Sequence, residues 1–119
     1  MAFDESLAAR IRRRLGARAG LTEKQMFGGL AFLLNGNMCC GVRGREMLVR
    51  LDPADTDRAL RDRHVRVFDL AGRSMKGWIL VGPAGLKSAA ALAKWVRVGL
   101  DYAGSLPPKP KVAGTRANA

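Results

Sequence analysis

The side chains with which this chain of 119 residues would do redox, metal or acid–base chemistry are few: Cys39 and Cys40 side by side, a single histidine at His64, and the aspartates Asp52, Asp55, Asp57, Asp62 and Asp69. Adjacent cysteines invite a disulfide or a shared ion. In an extended strand, however, successive side chains leave opposite faces, so the two thiols diverge: Cys40 packs into the core, Cys39 is a partly exposed thiol, and both stay reduced and independent. One histidine and two divergent thiols also lack the ligand set of a zinc site, so no metal is expected. His64 lies among the cations Arg61, Arg63 and Arg66. That setting suits a base, yet no nucleophile and no orienting third group accompany it, and it reads as a histidine at a helix-to-strand junction. The aspartates are interspersed with arginines as solvated pairs. No catalytic residue and no cofactor is expected.

Gly28-Gly29 has the look of a phosphate loop without its context. A phosphate cradle needs glycines between a strand and a helix N-terminus, whereas these fall inside the apolar run Met26-Phe27-Gly28-Gly29-Leu30-Ala31-Phe32-Leu33-Leu34. A bulge or a close backbone approach explains them better, and Gly77 receives the same explanation, with a neighbouring aromatic across its bare backbone. The run breaks at Asn35-Gly36-Asn37, resumes as Met38-Cys39-Cys40-Gly41-Val42, and has an echo in Met75-Lys76-Gly77-Trp78. Together these segments resemble the N-terminal domain of the TfoX family, proteins associated with regulation of natural competence, over about residues 7–109. The resemblance implies a non-enzymatic regulatory module that acts with transcription machinery and helps nucleoprotein assembly rather than reading sequence alone. The chain stops where the separate C-terminal domain of the full-length competence regulators would begin.

The elements that position these residues follow from periodicity. Phe3, Leu7, Ile11 and Leu15 recur at four-residue spacing on a first helix, with acids at its start, arginines toward its end and Gly16 or Gly20 as its stop. In the hairpin that follows, a two-residue turn at Asn35-Gly36 pairs Leu33 with Met38 and Phe32 with Cys39. A three-residue loop at Asn35-Gly36-Asn37 instead aligns Leu30, Phe32 and Leu34 with Val42, Cys40 and Met38, collects the larger apolar set on one face, and is preferred, with Asn37 left-handed. A turn at Gly44-Arg45 leads to a third strand over 47–51. Asp52-Pro53 starts a short helix carrying Leu60 inward. Strands over 65–69 and 74–81 flank the turn at 71–73, and a last helix runs over 88–104. The fold class is α+β, a two-layer antiparallel sheet with helices in the order α-β-β-β-α-β-β-α. The domain spans 1–106, and the Pro- and Lys-containing segment 107–119 is expected to be a flexible tail.

Lys and Arg number 21 against 10 Asp and Glu, a formal net charge of +11. Such a field attracts phosphate backbones, anionic surfaces or acidic proteins; the alternative is a solvated surface with no partner. The first residues carry no basic stretch followed by an apolar core, and no apolar run approaches the length of a membrane span, so the expected compartment is the cytoplasm, away from membranes. If Met75, Gly77, Ile79 and Val81 point inward, Lys76, Trp78 and Leu80 point away, joined by Phe27, Ala31, Leu33, Cys39, Leu48 and Arg50. That face is too apolar for water and must be covered by a helix, a second subunit or a ligand. Phe27, Leu33, Cys39, Leu48, Trp78 and Leu80 are therefore the expected interface of a homo-oligomer. Arg10, Arg12, Arg13, Arg50, Lys76 and Trp78 are the expected nucleic-acid contacts, with duplex DNA or a transcription-associated protein as partner and no sequence readout. The rival reading is a dimeric protein-interaction or small-ligand module with no direct DNA contact.

Overall fold

The computed structural model describes residues 3–26, 28–70 and 72–109. Helix α1 (Glu5–Leu15) starts where the Asp4 carboxylate accepts from the backbone N–H of Ser6 and Leu7, and ends at Gly16 with φ +67°. Its buried residues, Leu7, Ala8, Ile11 and Leu15, form the four-residue stripe. Next come β1 (Leu21–Met26), β2 (Gly29–Leu34), β3 (Asn37–Arg43) and β4 (Glu46–Arg50). A 3-10 turn at Pro53–Asp55, capped by Asp52, runs into the short α2 (Thr56–Ala59). Strands β5 (Val65–Leu70) and β6 (Arg73–Val81) precede α3 (Ala89–Ser105), which is capped by the Ser88 hydroxyl. The six strands form one antiparallel sheet in the order β1-β2-β3-β4-β6-β5. Helices α1 and α3 cover one face, over Phe32, Cys40, Val49 and Ile79.

The strand order therefore gains β1 over the pattern expected from sequence. Leu21-Thr22-Glu23-Lys24-Gln25-Met26 buries none of its side chains fully, so this edge strand carries no apolar alternation. Gly28 is not inside a strand but in the β1–β2 turn, with φ +72°. Gly29 is the close approach: a Cβ there would overlap the Val42 carbonyl of β3.

Both hairpin registers weighed from sequence occur, each over part of the β2–β3 ladder. Near the tip, Leu33 pairs with Met38 and Leu34 with Asn37 around a two-residue turn, and Asn35 (φ 54°) and Gly36 (φ 84°) take the left-handed positions, not Asn37. Farther down, Phe32 pairs with Cys40 and Leu30 with Val42. The two registers meet in a β-bulge that leaves Cys39 as the extra residue. The segment after α3 returns to this turn: the buried Asn37 side chain donates to the Pro107 carbonyl and the Lys109 N–H donates to the Asn35 carbonyl, both at 2.9 Å. Residues 110–119, with Lys111 and Arg116, lie outside the described residues, as do Phe27 and Ala71.

A second irregularity shapes β6. Its register against β5 passes from Val67–Ile79 to Phe68–Met75, so Lys76, Gly77 and Trp78 have no partner in β5, although Trp78 still pairs with Arg50 of β4. Gly77 takes φ +87°, its N–H donates to the Thr56 hydroxyl at 2.8 Å, and its carbonyl accepts from Leu51 N at 2.9 Å. What lies over Gly77 is the Leu51 carbonyl and Pro53, not an aromatic ring. Thr56 is 1% exposed, so this hydroxyl is an internal clasp. Thr56→Val keeps the shape and strands the Gly77 N–H, a loss of about 1–3 kcal/mol, whereas Thr56→Ser retains the acceptor and most of the stability. Thermal unfolding of the two variants checks this; a valine variant as stable as the parent would contradict it.

Candidate functional site

On the sheet face away from the helices, Ala31, Gly41, Leu48 and Leu80 are successive cross-strand neighbours in β2, β3, β4 and β6. Ala31, Leu48 and Leu80 are nonetheless almost wholly buried, because Phe68 from the outer part of the β5–β6 hairpin joins them, itself 1% exposed, with the Arg43 guanidinium 5.3 Å from its ring centre. The register jump in β6 is what gives the hairpin end the freedom to turn onto this face. The floor of the face is thus filled by the chain itself. Its rim is apolar and half-buried: Met26, Leu33, Met75 and Trp78.

Arg50 ends β4 beside Trp78, with which it pairs across strands. Its guanidinium lies 5.0 Å from the Trp78 ring centre and 5.4 Å from that of Tyr102 in α3, and among the described residues it forms no ion pair. A cation stacked between two half-buried aromatics keeps the edges of its fork available for acceptors. Tyr102 follows Trp95 and Gly99 at helical spacing along α3, and nothing local in the sequence links it to Arg50. Beside it, Leu51, Asp52, Asp55, Val98, Asp101 and Ser105 line a shallow cleft of about 300 Å³ with Tyr102. Asp52 is engaged by Ala54 N and Asp55 by Arg58, so both carboxylates have partners inside the chain.

The expected contact residues fall in two places. Leu33, Leu48, Trp78 and Leu80 share the helix-free face, with Leu48 and Leu80 as its buried floor. Arg50 and Trp78 meet at the end of β4, where the Arg50 guanidinium also reaches Tyr102 of α3 on the helix side, and Lys76 sits in the bulged part of β6, 3.9 Å from Asp57 with both side chains exposed. Arg10, Arg12 and Arg13 belong to the helix layer. Arg10 donates to the Leu86 carbonyl at 2.8 Å, and Arg12 grips Glu23 of β1 through two bonds of 2.6 and 2.9 Å. That hydrogen bond holds the Glu23 carboxyl below its usual range and the Arg12 guanidinium above its own. Both groups are exposed, so the pair contributes little to stability. Arg13 is exposed with no ion pair among the described residues.

Cys39 departs from expectation. The bulge turns it to the same side as Cys40, both thiols are fully buried under α3, and their Sγ atoms are 3.5 Å apart. It is core, not interface, and the two thiols are free but not independent. Strand alternation fails here because a bulge adds one residue to the count.

Among the described residues, no group of three or more His, Cys, Asp or Glu side chains could hold a metal ion. No helix among them is long and apolar enough to cross a membrane. Arg12, Arg58, Arg66 and Lys76 are the cations that pair with carboxylates there, which leaves most of the positive surface uncompensated.

This architecture, one antiparallel sheet with helices on a single face and glycines at its close approaches, defines a small α+β domain. The family profile described as the TfoX N-terminal domain matches residues 13–103, and the chain belongs to that family. Comparison with curated proteins and with solved structures found no match.

Proposed function

We propose that this chain is a non-enzymatic regulatory module of the cytoplasm that works beside transcription machinery and touches nucleic acid through its phosphates, weakly and without reading sequence. The observation that carries this is Arg50: a guanidinium without a carboxylate partner among the described residues, held against the rings of Trp78 and Tyr102. Aromatic faces that hold the guanidinium leave the edges of its fork free to meet the phosphates of a duplex, a contact that reads no sequence. The surplus of +11 supplies the long-range attraction. Membership of the TfoX N-terminal family supports a regulatory role, and competence is the process it points to. The experiment is a salt titration of duplex DNA binding followed by fluorescence anisotropy.

A specific observation also favours a homodimer on the same face. Met26, Leu33, Met75 and Trp78 leave an apolar rim around a filled floor, the arrangement that a second copy would cover. Light scattering should then give a dimer for the parent and a monomer for Leu33→Asp combined with Trp78→Ala, with the far-UV spectrum retained. A parent already monomeric at the same concentration would leave the rim to nucleic acid or to a different protein.

A further inference from the structure

We propose that Cys39 and Cys40 are a redox modification site, closed by a hydroperoxide into an intrachain disulfide between neighbouring residues that loosens α3 from the sheet. Nothing in the proposed nucleic-acid role uses these thiols. The bulge places them on one side of β3 with Sγ atoms 3.5 Å apart, where regular strand geometry would send them to opposite faces. The two differ in reactivity. A hydrogen bond joins the two sulfurs; it lowers the Cys39 pKa, with burial opposing and the positive charge of Arg18 assisting, while the contact with Cys39 and burial push Cys40 well up.

In this proposal Cys39, the extra residue of the bulge with no cross-strand partner in β2, acts as the nucleophile. Once the thiol has released its proton, the thiolate attacks one oxygen of hydrogen peroxide, the O–O bond breaks, hydroxide leaves and takes up that proton to become water, and Cys39 becomes a sulfenic acid. The Cys40 sulfur then attacks the Cys39 sulfur, the S–O bond breaks, and a second water leaves with the Cys40 proton. Two thiols have lost two electrons and two protons, and the peroxide has accepted them.

The product is strained by its position in the chain. Consecutive Cα atoms across a trans peptide are about 3.8 Å apart, below the range of about 4.4–6.8 Å that ordinary disulfides span. Strained disulfides are easily reduced, which puts this one with labile, regulatory bonds rather than structural ones.

The strain has a direction of release. The peptide between the two cysteines carries the Cys39 carbonyl, and that carbonyl lies against the backbone of α3 at Gly99, where even a methyl group would overlap it. Turning that peptide to close the ring presses on α3, whose Trp95 is 4% exposed. Because both thiols are buried, the reaction proceeds through local opening and is slow in the folded protein.

The test treats the full chain with hydrogen peroxide, removes the oxidant, and adds maleimide under denaturing conditions without reductant. The expected result is a monomeric chain lighter by two hydrogens that takes no maleimide, with the link mapped between residues 39 and 40 and both labels restored by dithiothreitol. In the oxidised protein, amide exchange in α3 is expected to quicken on the order of tenfold as its contact is weakened. Cys39→Ala should lose both the mass change and the exchange change. Two thiols still labelled after peroxide, oxidation that yields only linked dimers or sulfinic acids, or a closed disulfide with unchanged α3 exchange would each overturn the proposal. The wild-type mass measurement stands even if Cys39→Ala fails to fold.

Discussion

Gly99→Ala should destabilise the protein by roughly 2–3 kcal/mol and lower its melting temperature by roughly 10 °C, although alanine is the better helix former. The added methyl would overlap the Cys39 carbonyl oxygen, and a backbone group fixed in a bulged ladder cannot rotate away as a side chain would. The same substitution at Gly104, also in α3, has a different outcome. There the nearest atom to a new Cβ is Leu34 Cδ2 at 3.8 Å, an ordinary contact, and the position is exposed. Helix propensity then acts alone and Gly104→Ala should gain up to about 1 kcal/mol. Thermal unfolding of the two variants separates close approach from propensity, because one helix should respond with opposite signs. If Gly99→Ala were neutral or stabilising, α3 would not be seated on the β-bulge as described.

The bulge also shows how far the sequence could be read. Phe3, Leu7, Ile11 and Leu15 disclose α1, and the apolar alternation of residues 30–34, 38–42 and 47–51 discloses the central strands, because burial imposes those periods. β1 stays hidden since an edge strand with both faces wet imposes none. Each candidate register of the β2–β3 hairpin satisfied part of the pattern. A rule that assumes one register throughout had to choose, and the choice sent Cys39 to the wrong face.

The functional surface was legible in the same uneven way. That residues 33, 48, 78 and 80 share a face follows from pairing alone. What covers that face does not, because Phe68 reaches it through a register jump at Gly77 that depends on the buried Thr56 hydroxyl. The α1 arginines lie outside the buried set Leu7, Ala8, Ile11 and Leu15. Arg10 and Arg12 have partners in Leu86 and Glu23, which are distant in sequence and adjacent only once the sheet has formed. Arg50 gains its meaning from Tyr102, again a partner that only the fold supplies.

The central claim is that cations without carboxylate partners bind phosphates. If so, a fluorescent duplex of arbitrary sequence should bind at low salt, and the logarithm of its affinity should fall linearly with the logarithm of salt concentration, by roughly 0.9 per phosphate neutralised. Arg13 and Arg50 form no ion pair among the described residues, so Arg13→Ala with Arg50→Ala should flatten that slope by roughly 1.8. Arg13 is exposed and its removal costs little. Arg50 loses its stacking on Trp78 and Tyr102, about 1 kcal/mol, so the variant remains folded. A second duplex of unrelated sequence should give the same affinity and slope. The most direct measurement is therefore the salt slope of duplex binding for the parent and the double variant: the account predicts a slope that flattens by about two phosphates' worth, and it is contradicted if the parent does not bind at low salt or if both proteins give the same slope.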